Sequence, residues 1–129
     1  IALGLEVAKV TSGIEVGQTV VVKEGTILAV EAFEGTDRTI RRAGKLGGPG
    51  GVVVKVAKRG HDMRFDIPVI GMRTLRMLRK ARISAVALEA RRTILLEKEL
   101  VLQEADRLGL AVIAVQTEEG AEPSSKEQP

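Results

Sequence analysis

The hydrophobic positions of the chain follow two periods, one typical of helices and one typical of strands. Spacings of three and four residues predict helices over 2–11, 72–82 and 97–108, and a capping residue at Thr36 or Asp37 predicts a further helix that runs to about 43. Runs rich in β-branched and other apolar residues predict strands at 19–23, 26–31, 52–57, 85–89, 93–96 and 110–116. Because strands and helices alternate without an internal repeat, the pattern predicts an α/β fold with a mixed β-sheet of about five to seven strands and flanking helices.

The helical patterns also predict which side chains face the core. In the first helix these are Leu3, Val7 and Val10. In the third helix they are Met72, Leu75 and Leu78, and in the fourth Val101, Ala105 and Leu108. The opposite face of the third helix carries a stripe of cations, Arg73, Arg76 and Lys80. Such a stripe is typical of a solvated surface, and its functional alternative is contact with lipid headgroups or nucleic acid.

Turn-forming residues separate these elements. Glu24 and Gly25 predict a tight hairpin between the first two strands. Thr36 or Asp37 is suited to cap the second helix, and Gly109 to end the fourth. The segment 58–71 lacks a regular apolar pattern and predicts a long polar loop, whereas the final strand is expected to be buried.

Composition narrows the class of protein mainly by exclusion. The 129 residues leave room for one domain, which we expect to occupy 1–116. Cysteine is absent, which excludes disulfide scaffolds, thiolate zinc sites and cysteine nucleophiles and is typical of a cytoplasmic protein. Tyr and Trp are also absent and Phe occurs twice, so few rings are present on which single-stranded nucleic acid could stack. No apolar run approaches the roughly 20 residues of a membrane helix.

The two ends of the sequence carry further expectations. No basic and apolar leader follows Ile1, so we expect no secretion signal, and the missing initial Met indicates a piece of a longer chain. Residues 117–129 hold four Glu against one Lys, lack apolar periodicity and predict a flexible acidic tail. The remaining residues, 1–116, carry a net charge of +6. An anionic ligand and an ordinary solvated surface explain this modest excess equally well.

Candidate chemistry lies in two segments rich in charge. Glu31, Glu34 and Asp37 fall at a strand end and a helix start, where α/β folds place their sites. The predicted loop combines two acids with three cations, namely Asp62 and Asp66 with Lys58, Arg59 and Arg64. Carboxylates that hold a hard cation, beside Lys and Arg that neutralise phosphate, are typical of Mg²⁺-assisted chemistry on phosphate. Taken singly, the same residues are explained by helix ends and surface ion pairs.

The glycine cluster at 47–51 lies between these two segments. It follows a helix and precedes a strand, which is the reverse of a phosphate-binding loop, and no Gly-Lys-Ser/Thr follows it. We interpret the cluster as a flexible connector, with a loop that folds over a ligand as the alternative.

Five segments taken together are more specific than the α/β pattern. They are 14–23, 28–37, 40–44, 51–58 and 62–71. They contain Glu-Gly-Thr-Asp at 34–37, Val-Lys-Val-Ala-Lys at 54–58 and Arg-Phe-Asp-Ile-Pro at 64–68. Their order and spacing resemble the C-terminal domain of the LpxI family, the UDP-2,3-diacylglucosamine pyrophosphatases of lipid A synthesis. The resemblance covers residues 2–116.

The resemblance implies an activity and its requirements. Members of the family hydrolyse UDP-2,3-diacylglucosamine to 2,3-diacylglucosamine 1-phosphate (lipid X) and UMP, with a divalent cation such as Mg²⁺. They have two α/β domains with the lipid between them, and this sequence is similar to the second domain only. The implied partners are therefore the lipid substrate and an N-terminal domain, in the cytoplasm. Peripheral contact with the inner membrane and homodimer formation stay open, and no nucleic acid is expected.

The resemblance also assigns roles to individual residues. Asp66 matches the acid of the Arg-Phe-Asp-x-Pro motif and is implied as the main catalytic acid, which binds the metal or activates the attacking water. Asp37 is implied as a second catalytic and metal-binding acid, with Glu34 as a further metal ligand. The implied substrate- and phosphate-binding residues are Lys55, Lys58, Arg64, Gly35 and Thr36.

Two positions depart from the family pattern. Arg59 stands where the family often has Pro, which changes the stiffness of the loop. Arg91 replaces a Gly that is usual in the turn after the strand at 85–89, so a positive φ at Arg91 would carry strain.

Two other functions compete with the hydrolase. One is a non-catalytic basic module that binds RNA or another anionic partner, and low aromatic content disfavours it. The other is a ligand-sensing domain on the same fold. The joint presence of four implied site residues disfavours the sensor, namely Asp37, Asp66, Lys55 and Lys58.

Overall fold

Helices and strands alternate along the chain, as the hydrophobic pattern predicts. The computed structural model describes residues 1–14, 16–59, 65–66, 69–91 and 93–116, with the backbone alone at 58–59 and 65–66. Within these residues the helices are α1 (Ala2–Gly13), α2 (Thr36–Gly47), α3 (Met72–Lys80) and α4 (Lys98–Leu108). The strands are β1 (Thr19–Lys23), β2 (Thr26–Val30), β3 (Val52–Lys55), β4 (Lys58–Arg59), β5 (Phe65–Asp66), β6 (Val69–Ile70), β7 (Ala85–Glu89), β8 (Ile94–Leu95) and β9 (Ala111–Val115).

Five of the strands form one mixed sheet in the order β2-β1-β3-β7-β9. β1 is antiparallel to both β2 and β3, whereas β3, β7 and β9 are parallel. The carboxyl ends of β2, β3, β7 and β9 therefore lie at one edge of the sheet, together with the start of β1. We call this the carboxyl edge. The α/β class with a mixed five-stranded sheet is confirmed.

Hydrophobic clusters cover both faces of the sheet. Alternate side chains of β1 point to opposite faces, as the strand period requires. Val21 lies in the larger cluster, which also contains buried residues of α2, α3 and α4. Val20 and Val22 lie in the smaller cluster, where Ala8 of α1 packs against them. The core is aliphatic, which agrees with the scarcity of aromatic residues in the sequence.

The predicted inward face of α1 is wrong for two of its three residues, whereas Val7 is partly buried against the smaller cluster. Leu3 and Val10 are exposed, and the buried residues of the helix are the small ones, Gly4, Ala8 and Ser12. A Cβ on Gly4 would lie 2.6 Å from Val54 Cγ2, so this helix packs too closely on the sheet for a large side chain. The small residues recur every four positions and form the closest contacts, and Leu5 and Val7 pack partly buried beside them.

Other corrections concern the ends of elements. Gly35, with φ of 91°, is the N-cap of α2, and neither Thr36 nor Asp37 caps the helix because both lie within it. The helix also continues to Gly47, beyond the predicted end at 43. The segment 58–71 is not one long loop, since the short strands β4, β5 and β6 lie in it. β9 is not a buried strand, because it is the outermost strand of the sheet and its residues are half-buried or exposed.

Several local predictions are confirmed. β1 and β2 form a hairpin in which Glu24 and Gly25 both have positive φ, the geometry of a tight primed turn. The inward residues Leu75, Leu78, Val101 and Ala105 are buried. Gly109 ends α4 in the left-handed conformation. In the described part of the chain, no helix combines the length and apolar character needed to cross a membrane.

Arg91 adopts a positive φ at the position where the family usually has glycine. Its φ is 66°, in the left-handed region that L side chains rarely occupy. The turn after β7 therefore keeps a backbone conformation suited to glycine although the side chain is arginine.

Candidate functional site

The carboxyl edge brings together polar residues from several elements. Thr19 begins β1, Glu31 follows β2, Lys55 ends β3 and Glu89 ends β7. The hydroxyl of Thr36, at the start of α2, lies within hydrogen-bonding reach of three of their side chains. Residues distant in sequence meet here because the sheet order places β1 beside both β2 and β3.

Thr36 is the centre of a hydrogen-bond network at this edge. Its hydroxyl donates to Glu31 Oε2 at 3.2 Å and accepts from Lys55 Nζ at 3.2 Å. The Thr19 hydroxyl lies 3.2 Å from the hydroxyl oxygen of Thr36. The other oxygen of Glu31 accepts from the amide of Gln18 at 3.1 Å. The ammonium group of Lys55 is therefore held in a defined position without a direct carboxylate partner among the described residues.

Glu34 belongs to a separate ion pair beside this network. Its carboxylate binds the guanidinium of Arg42 through two nitrogens and accepts from the hydroxyl of Thr39 at 3.2 Å. The hydrogen bonds from Arg42 hold the pKa of Glu34 below its ordinary value, with a further contribution from Thr39. Glu34 would have to release Arg42 to bind a metal, and its assignment as a ligand stays a prediction.

A small cavity of about 130 Å³ opens beside Lys55 and Thr36. Its polar lining also includes Asp37, in the first turn of α2, where the helix dipole favours an anion. Its remaining walls are mostly apolar, formed by Ile40, Val53, Val69, Ile70, Leu78 and Val86. The volume corresponds to about four water molecules at their share of liquid volume. The cavity thus places a hydroxyl, an ammonium and a carboxylate around a space of phosphate size.

The backbone of Asp66 lies near the same edge. β4 follows β3 after two residues, and in the β4–β5 pair Lys58 is opposite Asp66. Arg64, the third implied phosphate ligand of this region, lies outside the described residues. The backbone placement agrees with a shared site, and the roles of Asp66, Lys58 and Arg64 stay predictions.

Sequence reasoning did not consider Glu89. Its side chain is buried, with 1% of the residue exposed. One oxygen accepts from the amide of Ala57 at 2.7 Å, and the other pairs with Lys9 Nζ at 2.8 Å. Ala57 directly precedes β4, so Glu89 fixes the backbone that leads to the Lys58–Asp66 pair. The available signal was an acid at the end of the otherwise apolar strand 85–89.

The glycine cluster lies at the other end of β3 from Lys55. It connects α2 to β3, and hydrogen bonds hold it: Lys23 Nζ donates to Gly47 O at 2.6 Å, and Gly50 N donates to Arg82 O at 3.0 Å. The cluster is therefore a connector away from the candidate site, as the sequence order of helix and strand indicated.

The oxygen atoms offered by the cavity lining are of the kind that a hard cation binds. Asp37 and Thr36 offer oxygen ligands, and Mg²⁺ typically takes one or two carboxylates together with substrate phosphates. Three or more potential metal-ligating acids or histidines do not cluster anywhere in the described ranges.

A second and larger concave surface lies between α2 and α3. This cleft has a volume of about 1040 Å³, and its lining contains seven Arg and Lys residues against a single acid, Asp37. Because Asp37 also lines the small cavity, the two concave surfaces adjoin. The sequence predicted the cationic stripe of α3 but not that α2 adds to it.

Comparison with known proteins adds an independent finding. Residues 1–113 match the family described as the LpxI C-terminal domain. The chain is also 37% identical over 123 residues to a protein of Caulobacter vibrioides named UDP-2,3-diacylglucosamine pyrophosphatase LpxI. That match covers 89% of this chain and 44% of the relative, so the chain spans less than half the length of the curated relative. The family match covers most of the chain, and the chain belongs to the LpxI C-terminal domain family.

Proposed function

We propose that the protein containing this chain hydrolyses the pyrophosphate bond of UDP-2,3-diacylglucosamine, releasing 2,3-diacylglucosamine 1-phosphate and UMP. Family membership and the name of the Caulobacter relative support this reaction. The observation that carries it in the structure is the cavity at the carboxyl edge, where Thr36, Asp37 and Lys55 converge.

Lys55 and the start of α2 are proposed to bind a phosphate of the substrate. The hydrogen bond to Thr36 fixes the ammonium of Lys55 at the cavity, where it neutralises phosphate charge. The first amides of α2 have no partner within the helix and favour an anion at the N-terminus. Gly35 caps this end with positive φ and without a side chain, which leaves the approach to the amides open.

Asp66 and Asp37 are proposed to supply the acidic half of the site. Asp66 would accept the proton of the attacking water, and Asp37 with Asp66 would hold a divalent cation. When bound, that cation supplies positive charge that stabilises the pyrophosphate oxygens as negative charge develops on them. Glu89 supports this half through the amide of Ala57, which sets the course of the backbone before β4.

The rest of the protein is proposed to include an N-terminal domain that completes the site. Supporting this, apolar residues at the start of the chain are exposed, namely Ile1, Leu3, Val10, Ile14 and Val16. Exposed apolar residues on one segment are typical of an interface. We place the reaction in the cytoplasm, with the lipid substrate reached from the inner membrane.

The experiment is turnover by the full-length protein that contains this chain. Asp66→Asn keeps the size of the side chain and removes its charge, and kcat should fall about 100-fold or more, as for a positioned acid–base group. Asp106→Asn is the matched control, because Asp106 is exposed on α4. Melting curves of both variants separate a catalytic loss from unfolding. Near-normal kcat in Asp66→Asn contradicts the proposed role.

A further inference from the structure

Nine cations form one surface on α2, α3 and the turn that follows α3. We call this surface the basic face. On α2 the cations recur at helical spacing, at Arg38, Arg41, Arg42 and Lys45. On α3 and the following turn they are Arg73, Arg76, Arg79, Lys80 and Arg82. Arg41 and Lys45 of α2 line the 1040 Å³ cleft together with all five cations of α3 and the following turn, and they also line a neighbouring concave surface with Arg38 and Arg42, which makes the basic face continuous.

Close packing of the two helices brings these cations together. A Cβ on Gly44 of α2 would lie 2.9 Å from the carbonyl oxygen of Ala81, just after α3. The helices therefore approach at a glycine, and the flanking cations of both are drawn to the same cleft. Like charges at such spacing repel one another and oppose folding.

The acids of the described chain leave most of this charge unpaired. Of the nine cations, Arg42 alone has an ion pair within the described residues, with Glu34. Asp37 lies in the cleft wall. Glu104 of α4 interacts electrostatically with Arg76 and Arg79, but its carboxylate accepts hydrogen bonds from Arg107. The remaining excess of positive charge matches an extended anionic surface outside the chain.

Exposed apolar side chains lie near both ends of α2. Phe33, three residues before the helix, is fully exposed, and Leu46 near its end is 64% exposed. A basic helix with large apolar side chains is typical of binding at a bilayer interface, where cations contact headgroups and apolar groups enter the acyl boundary. Single-stranded nucleic acid would instead favour several stacking rings, and the sequence contains no Tyr or Trp.

We propose that the basic face docks the protein on a bilayer that contains anionic phospholipid. The proposal rests on the proposed function in one respect, since a substrate with two acyl chains resides in a membrane. Docking by this face would bring the cavity to the bilayer surface, because Asp37 lines both the basic cleft and the cavity. A lipid headgroup could then reach the carboxyl edge with its acyl chains still in the membrane.

The test is co-sedimentation of the full-length protein with vesicles of phosphatidylcholine, with and without phosphatidylglycerol. We expect binding only to the anionic vesicles, with strong weakening by added salt. Arg41→Glu and Arg76→Glu should each weaken the partition at least fivefold, and Leu46→Ser should weaken it with little change in salt dependence. Lys98→Glu is the matched charge reversal on an exposed residue of α4 outside the basic face, and it should bind as the unchanged protein does.

Several outcomes would overturn the proposal. These are equal binding to neutral vesicles, equal loss in Lys98→Glu and Arg76→Glu, and preferential binding of an RNA oligonucleotide over the anionic vesicles. Binding by the 129-residue chain but not by the full-length protein would mean that another part of the protein covers the face. Turnover of substrate in neutral detergent micelles is measured in parallel. Arg76→Glu should retain it, so failure of docking and failure of the proposed reaction are told apart.

Discussion

The carboxyl edge and the basic face both adjoin α2, yet they differ in whether their charged side chains have partners within the chain. At the carboxyl edge, Glu31 has two hydrogen-bond donors and the ammonium of Lys55 is held by Thr36. On the basic face, most cations have no ion pair within the described residues. The first region is organised before any ligand arrives, and the second depends on an external anion for its balance.

This difference separates two uses of electrostatics. A preorganised site stabilises charge that develops in a reaction, since its donors need not reorient. A field of exposed, unpaired cations instead attracts a broad anionic surface without fixed geometry, and it weakens with salt. Substitutions at the edge should therefore reduce stability or turnover, whereas substitutions on the face should leave both nearly intact.

The largest effect is expected from Glu89, which supports the carboxyl edge from within. Glu89→Ala leaves the amide of Ala57 without its acceptor and removes the buried half of an ion pair with Lys9, so the free energy of unfolding should fall by about 3 kcal/mol. Urea unfolding of the 129-residue chain measures this. Glu89→Gln is the control, because its amide oxygen can still accept from Ala57. Equal losses in both variants would assign the effect to charge and not to the backbone contact.

Turnover should respond most to Lys55 among the described cations. Lys55→Met removes the fixed ammonium from the cavity, and kcat of the full-length protein should fall about 100-fold, the scale for loss of a positioned donor to developing negative charge. Lys23→Met is the matched control, because Lys23 donates to Gly47 at the far end of α2. A similar kcat for both variants would show that the cavity takes no part in the reaction.

On the basic face the sign of the stability change should reverse. Arg76→Gln removes one of several repelling cations, so the free energy of unfolding should rise by about 0.3 kcal/mol at low salt. The gain should vanish at high salt, where the repulsion is screened. Thermal melts at two salt concentrations measure it. A loss of stability that is independent of salt would show that Arg76 has a structural partner and would break the comparison.

The smallest effect is expected from Glu34, which lies between the two regions. Arg42 lowers the pKa of Glu34 from 4.5 in the folded chain, so the ion pair contributes stability above that value and loses it as the pH falls through the lowered pKa. The melting temperature of the chain should exceed that of Glu34→Gln slightly at neutral pH, and the gap should close in acid. A gap that persists at low pH would attribute the difference to packing.

Local features of the fold could be predicted from the sequence because short-range chemistry decides them. The turn at Glu24 and Gly25 and the left-handed end of α4 at Gly109 follow from neighbouring residues alone. The positive φ of Arg91 could not be derived from neighbouring residues, and it occurs at a position where the family usually has glycine. The inward face of α1 was not predictable by hydrophobicity, because close packing on the sheet selected Gly4 and Ala8 over Leu3 and Val10.

Sequence motifs could predict which residues line the candidate cavity in part, but they could not predict the contacts between them. Motifs indicated Thr36, Asp37 and Lys55, and the structure brings them around one cavity. The links through Thr19 and Glu89 depend on the order of strands in the sheet, which no local pattern reveals. The basic face was missed in part for the same reason, since the approach of α2 to α3 at Gly44 is a tertiary contact.

The parallel pairing at the centre of the sheet also affects the order in which the strands pair during folding. The hairpin of β1 and β2 joins Lys23 to Thr26, whereas β3 meets β7 by joining Val52 to Ala85. Closure of a longer loop costs more entropy and slows pairing, so we expect the hairpin to form within about 10 μs and the central pair much later. Lys55 joins the carboxyl edge through the pairing of β3 with β1, whereas Glu89 reaches it only through that late pair. A nascent or partly folded chain therefore lacks the hydrogen bond from the Ala57 amide to Glu89, and the carboxyl edge is complete only at the end of folding.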